Sequence, residues 1–90
     1  MIVVWIIKFT KSAEKDKKLL KSAGLEDKAK KILNLIANDP FQTPPSYEKL
    51  VGDLKGYYSR RLNIQHRIVY KVYKEINTVV IHAMWTHYEK

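Results

Sequence analysis

Apolar and polar positions along this chain follow different rhythms, and each rhythm predicts a different element. From Ile2 to Phe9 the residues are apolar without a break until Lys8, a run of the kind a buried strand shows. Thr10 follows, with a side-chain oxygen suited to cap a helix. The helix it would open, KSAEKDKKLLKSAG, has a thin apolar stripe of Ala13, Leu19, Leu20 and Ala23, and Gly24 is placed to end it. A second helix is better marked, because Leu25, Ala29, Ile32, Leu33 and Ile36 recur at helical spacing. It should stop near Asn38, since Pro40 disfavours helical backbone in the residue before it.

Between Asp39 and Asp53 neither rhythm persists. The stretch DPFQTPPSYEKLVGD holds all three prolines and reads as loop, with room for a short helical turn around Tyr47 to Val51. Strand character then returns at Gly56 to Leu62, at Ile64 to Tyr73 and at Thr78 to Trp85. In the middle segment Ile64, His66, Ile68, Tyr70 and Val72 share one face, and Gln65, Arg67, Val69, Lys71 and Tyr73 share the other. The short links LNIQ and KEINT predict consecutive antiparallel hairpins. The predicted order is β-α-α-β-β-β. Helices and strands grouped in this way argue an α+β fold, with two N-terminal helices packed on one face of an antiparallel-rich sheet. Ninety residues make a single domain, residues 1–90.

Composition changes this picture in two ways. Seventeen Lys and Arg against nine Asp and Glu leave a net charge of +8, which attracts polyanions such as nucleic acid or an acidic protein. A membrane surface is the weakest candidate, because no long basic amphipathic helix with large apolar residues is present. Cysteine is absent, which excludes disulfides and thiolate metal sites and fits a reducing, cytoplasmic location. Three widely spaced histidines suggest no metal site, and no cofactor is expected. The opening MIVVWIIKF is too short to span a bilayer and lacks the flanks of a signal peptide.

The basic residues are unevenly distributed in kind. All three arginines, Arg60, Arg61 and Arg67, fall within GYYSRRLNIQHRIVYKV, and every other basic residue is lysine. Arginine presents a flat fork of donors that matches a phosphate bidentately, whereas lysine is a mobile point charge. Lysine for long-range attraction and arginine for local grip would suit a phosphate ligand. Tyr57, Tyr58, Tyr70 and Tyr73 are interleaved; unpaired bases stack on such rings, although packing within the sheet is the simpler role for them. Arg67, on a strand interior, is the better candidate for a phosphate contact. Arg60 and Arg61 alternate faces, so one should meet nucleic acid while the other braces Glu48 or a partner; the pattern does not say which. His66 reads as a structural group, His82 as core or sheet surface, and Trp5 and Trp85 as core. Taken alone, Glu48 reads as a surface charge and His87 as a tail residue.

These same residues carry a resemblance. LKGYYSRRLNIQHRIVYKV is similar to the signature of the YoeB/Txe toxins of the RelE superfamily, and the match runs from Leu54 to Tyr70. Trp5 in the first strand, Glu48 before Leu50, and the pair His87-Tyr88 agree as well; the aromatic pair Tyr57-Tyr58 replaces the Phe-Trp common in that family. The resemblance implies a ribosome-dependent endoribonuclease that cleaves mRNA in the decoding site without a metal, by attack of a 2′-hydroxyl on the neighbouring phosphate. It assigns Glu48 as general base, Arg67 to the phosphate, His87 as general acid and Tyr88 to positioning. Lys49, Tyr58, Arg60 and Arg61 become the expected RNA contacts. An acidic antitoxin of the YefM/Phd type is the implied partner, neutralising the toxin and joining it in repressing the operon, and homodimers occur among relatives. Two other readings stay open: a ParE-like gyrase inhibitor on the same fold, and a non-catalytic RNA-binding module.

Overall fold

Thr10 opens the first helix as its side chain predicts. Its hydroxyl accepts a hydrogen bond from the Ala13 amide at 3.1 Å, which satisfies one of the free donors of the first turn. The computed structural model describes residues 4–85. Within them strand β1 (Ile6–Phe9) leads into helices α1 (Lys11–Ser22) and α2 (Glu26–Asn38). Gly24, at φ 75°, lies between the helices in the left-handed region that a side chain would disfavour. A long loop then reaches strand β2 (Glu48–Lys49), followed by β3 (Tyr57–Arg61), β4 (Arg67–Tyr73) and β5 (Thr78–Ala83).

The strands form one five-stranded sheet in the order β1-β5-β4-β3-β2. Pairing is antiparallel except between β1 and β5, which run parallel, so the sheet is mixed. The α+β class and the placement of both helices on one face agree with the sequence pattern. Two expectations need correction. The stretch from Tyr47 to Val51 holds no helical turn; Glu48 and Lys49 pair with Ser59 and Tyr58 as an edge strand. Four strands therefore become five. The segment that includes Ile64 to His66 is shorter than the pattern suggested, because Asn63 turns the chain there. Its side-chain oxygen accepts from the amides of Gln65 (2.9 Å) and His66 (2.7 Å), which closes the hairpin between β3 and β4.

Alternation along the strands separates two faces. One face packs on the helices: Ile68, Tyr70, Val79 and Ile81 meet Ala13 and Leu20 of α1 and Ala29 and Ile36 of α2, all buried. The other face carries no helix. There the register sets out four rows of side chains, about 6.8 Å apart by strand geometry. They are Arg61 with Arg67, then Glu48 with Ser59 and Val69, then Tyr57 with Lys71, Val80 and Lys8, then Tyr73 with Thr78 and Ile6. No helix among the described residues is long and apolar enough to cross a membrane.

Candidate active site

Glu48 and Arg67 come together on the open face. Pairing of β2 with β3 and of β3 with β4 brings two residues nineteen positions apart in sequence to 3.3 Å, between Glu48 Oε1 and an Arg67 terminal nitrogen. That nitrogen also donates to the Ser59 hydroxyl at 3.0 Å. Ser59 is buried, so the hydroxyl is a fixed acceptor that aims the guanidinium. Glu48 is 64% exposed and Arg67 23%, which leaves the carboxylate open to a ligand while the arginine stem is packed. The pair lines an open cleft of about 560 Å³ together with Arg61, Ser59, Asn63 and Lys28. A carboxylate, two guanidiniums and an ammonium around one cleft can take a proton and hold a doubly liganded anion such as a phosphodiester.

The family model for YoeB-like toxins of bacterial type II toxin–antitoxin systems matches residues 8–88. The chain belongs to the YoeB-like toxin family. Toxin YoeB of Synechocystis sp. is 46% identical over 59 residues, which is 66% of this chain and 62% of that relative, so the alignment spans less than two thirds of its length. A YoeB/ParE toxin from Agrobacterium tumefaciens superposes with a TM-score of 0.84 at 27% identity, over 92% of this chain and 99% of that one. A YoeB–YefM complex from Staphylococcus aureus matches with a TM-score of 0.77 at 33% identity, over 93% of this chain and 98% of the other. The mixed sheet with two helices on one face is thus the YoeB and RelE-type arrangement.

Not every residue expected at a YoeB-like site lies in the cleft. Arg60, expected to contact RNA, is 1% exposed on the helix side of the sheet, paired across from Ile68. Its guanidinium donates to the Tyr70 hydroxyl (3.1 Å) and to the carbonyls of Pro45 (2.7 Å), Pro40 (3.0 Å) and Gln42 (2.8 Å). The Tyr70 hydroxyl in turn donates to Pro40 O at 2.8 Å. Among the described residues no carboxylate is within ion-pair distance of Arg60, so oriented carbonyl dipoles carry its charge. Burial pushes the Tyr70 phenol above its ordinary value, against the opposing pull of Arg60. Arg60 is therefore a clamp on the loop that delivers Glu48, not a ligand contact.

Tyr58, half-buried, lies on the same side of the sheet as Arg60. It faces inward and packs against Phe41 (5.2 Å), Tyr47 (5.7 Å) and Tyr70 (5.9 Å), a cluster that fastens the same loop to β3. Lys49, one residue from Glu48 on a strand, is exposed and pairs with Tyr58 on the face away from the cleft. Arg61, by contrast, is exposed and lines the cleft. His87 and Tyr88 lie outside the described residues. Two positions preceding them are well anchored: Asp16 of α1 accepts from the amides of Met84 (2.9 Å) and Trp85 (3.3 Å), and His66 stacks on Trp85 with centroids 4.1 Å apart. Among the described residues no group of three His, Cys, Asp or Glu is placed to hold a metal ion.

Ser59 and Lys28 were missed from sequence. Ser59 was findable: once Arg61 is set opposite Arg67, the residue two before Arg61 falls on the same face beside it. Lys28 sits off the apolar stripe of α2, as a solvated residue would, and nothing in its spacing points to a cleft formed by strands far along the chain.

Proposed function

We propose that this protein is a ribosome-dependent mRNA endoribonuclease, the toxin of a cytoplasmic toxin–antitoxin pair. The observation that carries this reading is the Glu48–Arg67 pair, aimed by Ser59 and open to solvent beside Arg61. In the proposed reaction Glu48 takes the proton of a 2′-hydroxyl, and the freed oxygen bonds to the adjacent phosphorus. Arg67 and Arg61 hold the non-bridging oxygens, where negative charge grows, with the fixed donors that such a transition state demands. The bond from phosphorus to the 5′-oxygen breaks, and His87 supplies the proton that the leaving oxygen needs. The products are a 2′,3′-cyclic phosphate and a 5′-hydroxyl. Tyr88 shapes the site around the leaving group. This division of labour needs no metal.

The partner in this reading is an acidic antitoxin of the YefM type. The net charge of +8 favours such a partner, and the Staphylococcus aureus relative is described in complex with YefM. Covering the cleft would neutralise the toxin, and the joint complex would repress the operon.

Mapping of 5′ ends on a defined mRNA in a translation extract, with and without ribosomes, tests the enzyme. Wild type should produce new ends only with ribosomes, and Arg67→Ala and His87→Gln should abolish them. Ends that persist in both variants would discard the site. Absence of cleavage by wild type would favour a gyrase inhibitor or a binding module instead.

A further inference from the structure

The open sheet face continues beyond the cleft, and its next row has a composition that the cleaving residues do not explain. Tyr57 follows Ser59 and Arg61 on the same face of β3, so it stands about 6.8 Å from Ser59, one step along the strand. Lys71 pairs with Tyr57, and Lys8 shares their row through Val80. The Lys71 ammonium lies between two phenol rings, 5.2 Å from the Tyr57 centroid and 5.3 Å from that of Tyr73. His82, two residues beyond Val80 on β5, falls on this face by strand alternation, and its ring meets that of Tyr57 in a T-shaped contact with centroids 4.9 Å apart.

We propose that Tyr57, Lys71 and Tyr73 form a second RNA subsite, which holds the nucleotides next to the scissile phosphate; this rests on the endoribonuclease reading. Three arguments favour RNA over other occupants. The outward strand residues of this face carry four cations, Lys8, Arg61, Arg67 and Lys71, against one acid, Glu48, which Arg67 already engages. An ammonium between two rings offers a phosphate a counter-charge and the flanking bases a stacking surface, the pairing that single-stranded RNA requires. The row is also continuous with the cleft on one strand, so a single extended backbone can cross both. Burial and the Lys71 charge hold His82 below its ordinary value.

The test uses fluorescence anisotropy with the purified full chain. The probes are two labelled RNAs, a trinucleotide confined to the cleft and a heptanucleotide long enough to reach the row. Each carries a 2′-deoxy sugar at its centre to block cleavage. Lys71→Gln should leave trinucleotide binding unchanged, weaken the heptanucleotide, and reduce the slope of log affinity against log salt by about 0.7, one phosphate contact. Tyr57→Leu should weaken the heptanucleotide by about tenfold and leave the salt slope unchanged. Equal heptanucleotide affinity and slope in wild type and both variants would overturn the subsite while leaving the cleavage reading intact. Failure of wild type to bind either RNA would overturn the subsite, and the cleavage reading would then be decided by the 5′-end mapping with ribosomes. Loss of affinity for a polyglutamate peptide, with RNA binding unaffected, would assign the row to an acidic protein and overturn the proposal. If the subsite effects appear but Arg67→Ala still cleaves, the RNA face stands without its proposed chemistry.

Discussion

Arg67 and Glu48 make an ion pair in which the acid is mostly in water, and such pairs contribute under about 1 kcal/mol to stability. The geometry is therefore worth more to a ligand than to the fold. Arg67→Ala should leave the thermal midpoint nearly unchanged, and single-turnover cleavage should fall about 10²- to 10³-fold, the cost of removing one fixed donor from a developing anion. Arg67→Lys should recover only part of that rate. An ammonium cannot engage a phosphate and the Ser59 hydroxyl with the same planar fork. A cleavage rate for Arg67→Lys equal to wild type would reduce Arg67 to a point charge. His82 offers a second check at this scale. Its folded pKa is depressed by burial first and by Lys71 second, so the unfolded chain binds a proton more readily. Stability should be full above the ordinary histidine value of about 6.5 and decline as pH falls below it. His82→Leu should flatten that limb of a pH–denaturation profile; an unchanged limb would place the effect elsewhere.

The loop between α2 and β2 is held by elements that are not its neighbours in sequence. Arg60 reaches three of its carbonyls, Tyr70 one of them, and Phe41 and Tyr47 lock against Tyr58. Arg60→Met would remove four donated hydrogen bonds at once and leave buried acceptors unmatched, so it should destabilise by on the order of 3 kcal/mol or more. Limited proteolysis should then cut first between Pro40 and Ser46, and the loss of cleavage should exceed the loss of folded protein. A uniform loss of both would mean that the clamp serves the core and not Glu48. The Tyr70 end of the clamp titrates with the opposite sign from His82. Its folded pKa is raised, so its contribution is complete below about pH 10 and is lost as pH rises through the folded value.

How much of this was legible depends on the element. The helices and the three later strands follow apolar periodicity, but which of Arg60 and Arg61 shares a face with Arg67 depends on the register of the hairpin, which sets Arg61 opposite Arg67. Arg60 was misread because alternation separates two faces without saying which is buried. The signal was present in its phase: Tyr58, Arg60 and Leu62 alternate together, and Leu62 is core. Strand β2 is two residues long, too short to have a rhythm, and only its partner β3 defines it. The clamp carbonyls belong to the backbone of a proline-rich loop, where residue identity carries no acceptor pattern at all.

Charge acts over the whole molecule. The lysines of α1, among them Lys15 and Lys18, are exposed on a helix that packs on the sheet face opposite the cleft. They do not line the cleft, yet they would contribute to the field that draws in the proposed acidic antitoxin. Association and dissociation should therefore separate by location. Raising ionic strength from about 0.01 to 0.15 M shortens the screening length from about 30 to 8 Å, so the association rate with an acidic YefM-type segment should fall steeply while dissociation barely moves. The double change Lys15→Gln, Lys18→Gln should lower the association rate at low salt, lose that effect at high salt, and leave dissociation as in wild type. Arg61→Gln, within the cleft, should instead speed dissociation at both salt concentrations, since it removes a local grip. Stopped-flow binding resolves the two rates. If the α1 double variant changed dissociation and Arg61→Gln did not, the acidic segment would be seated on the helices and the cleft would be left open.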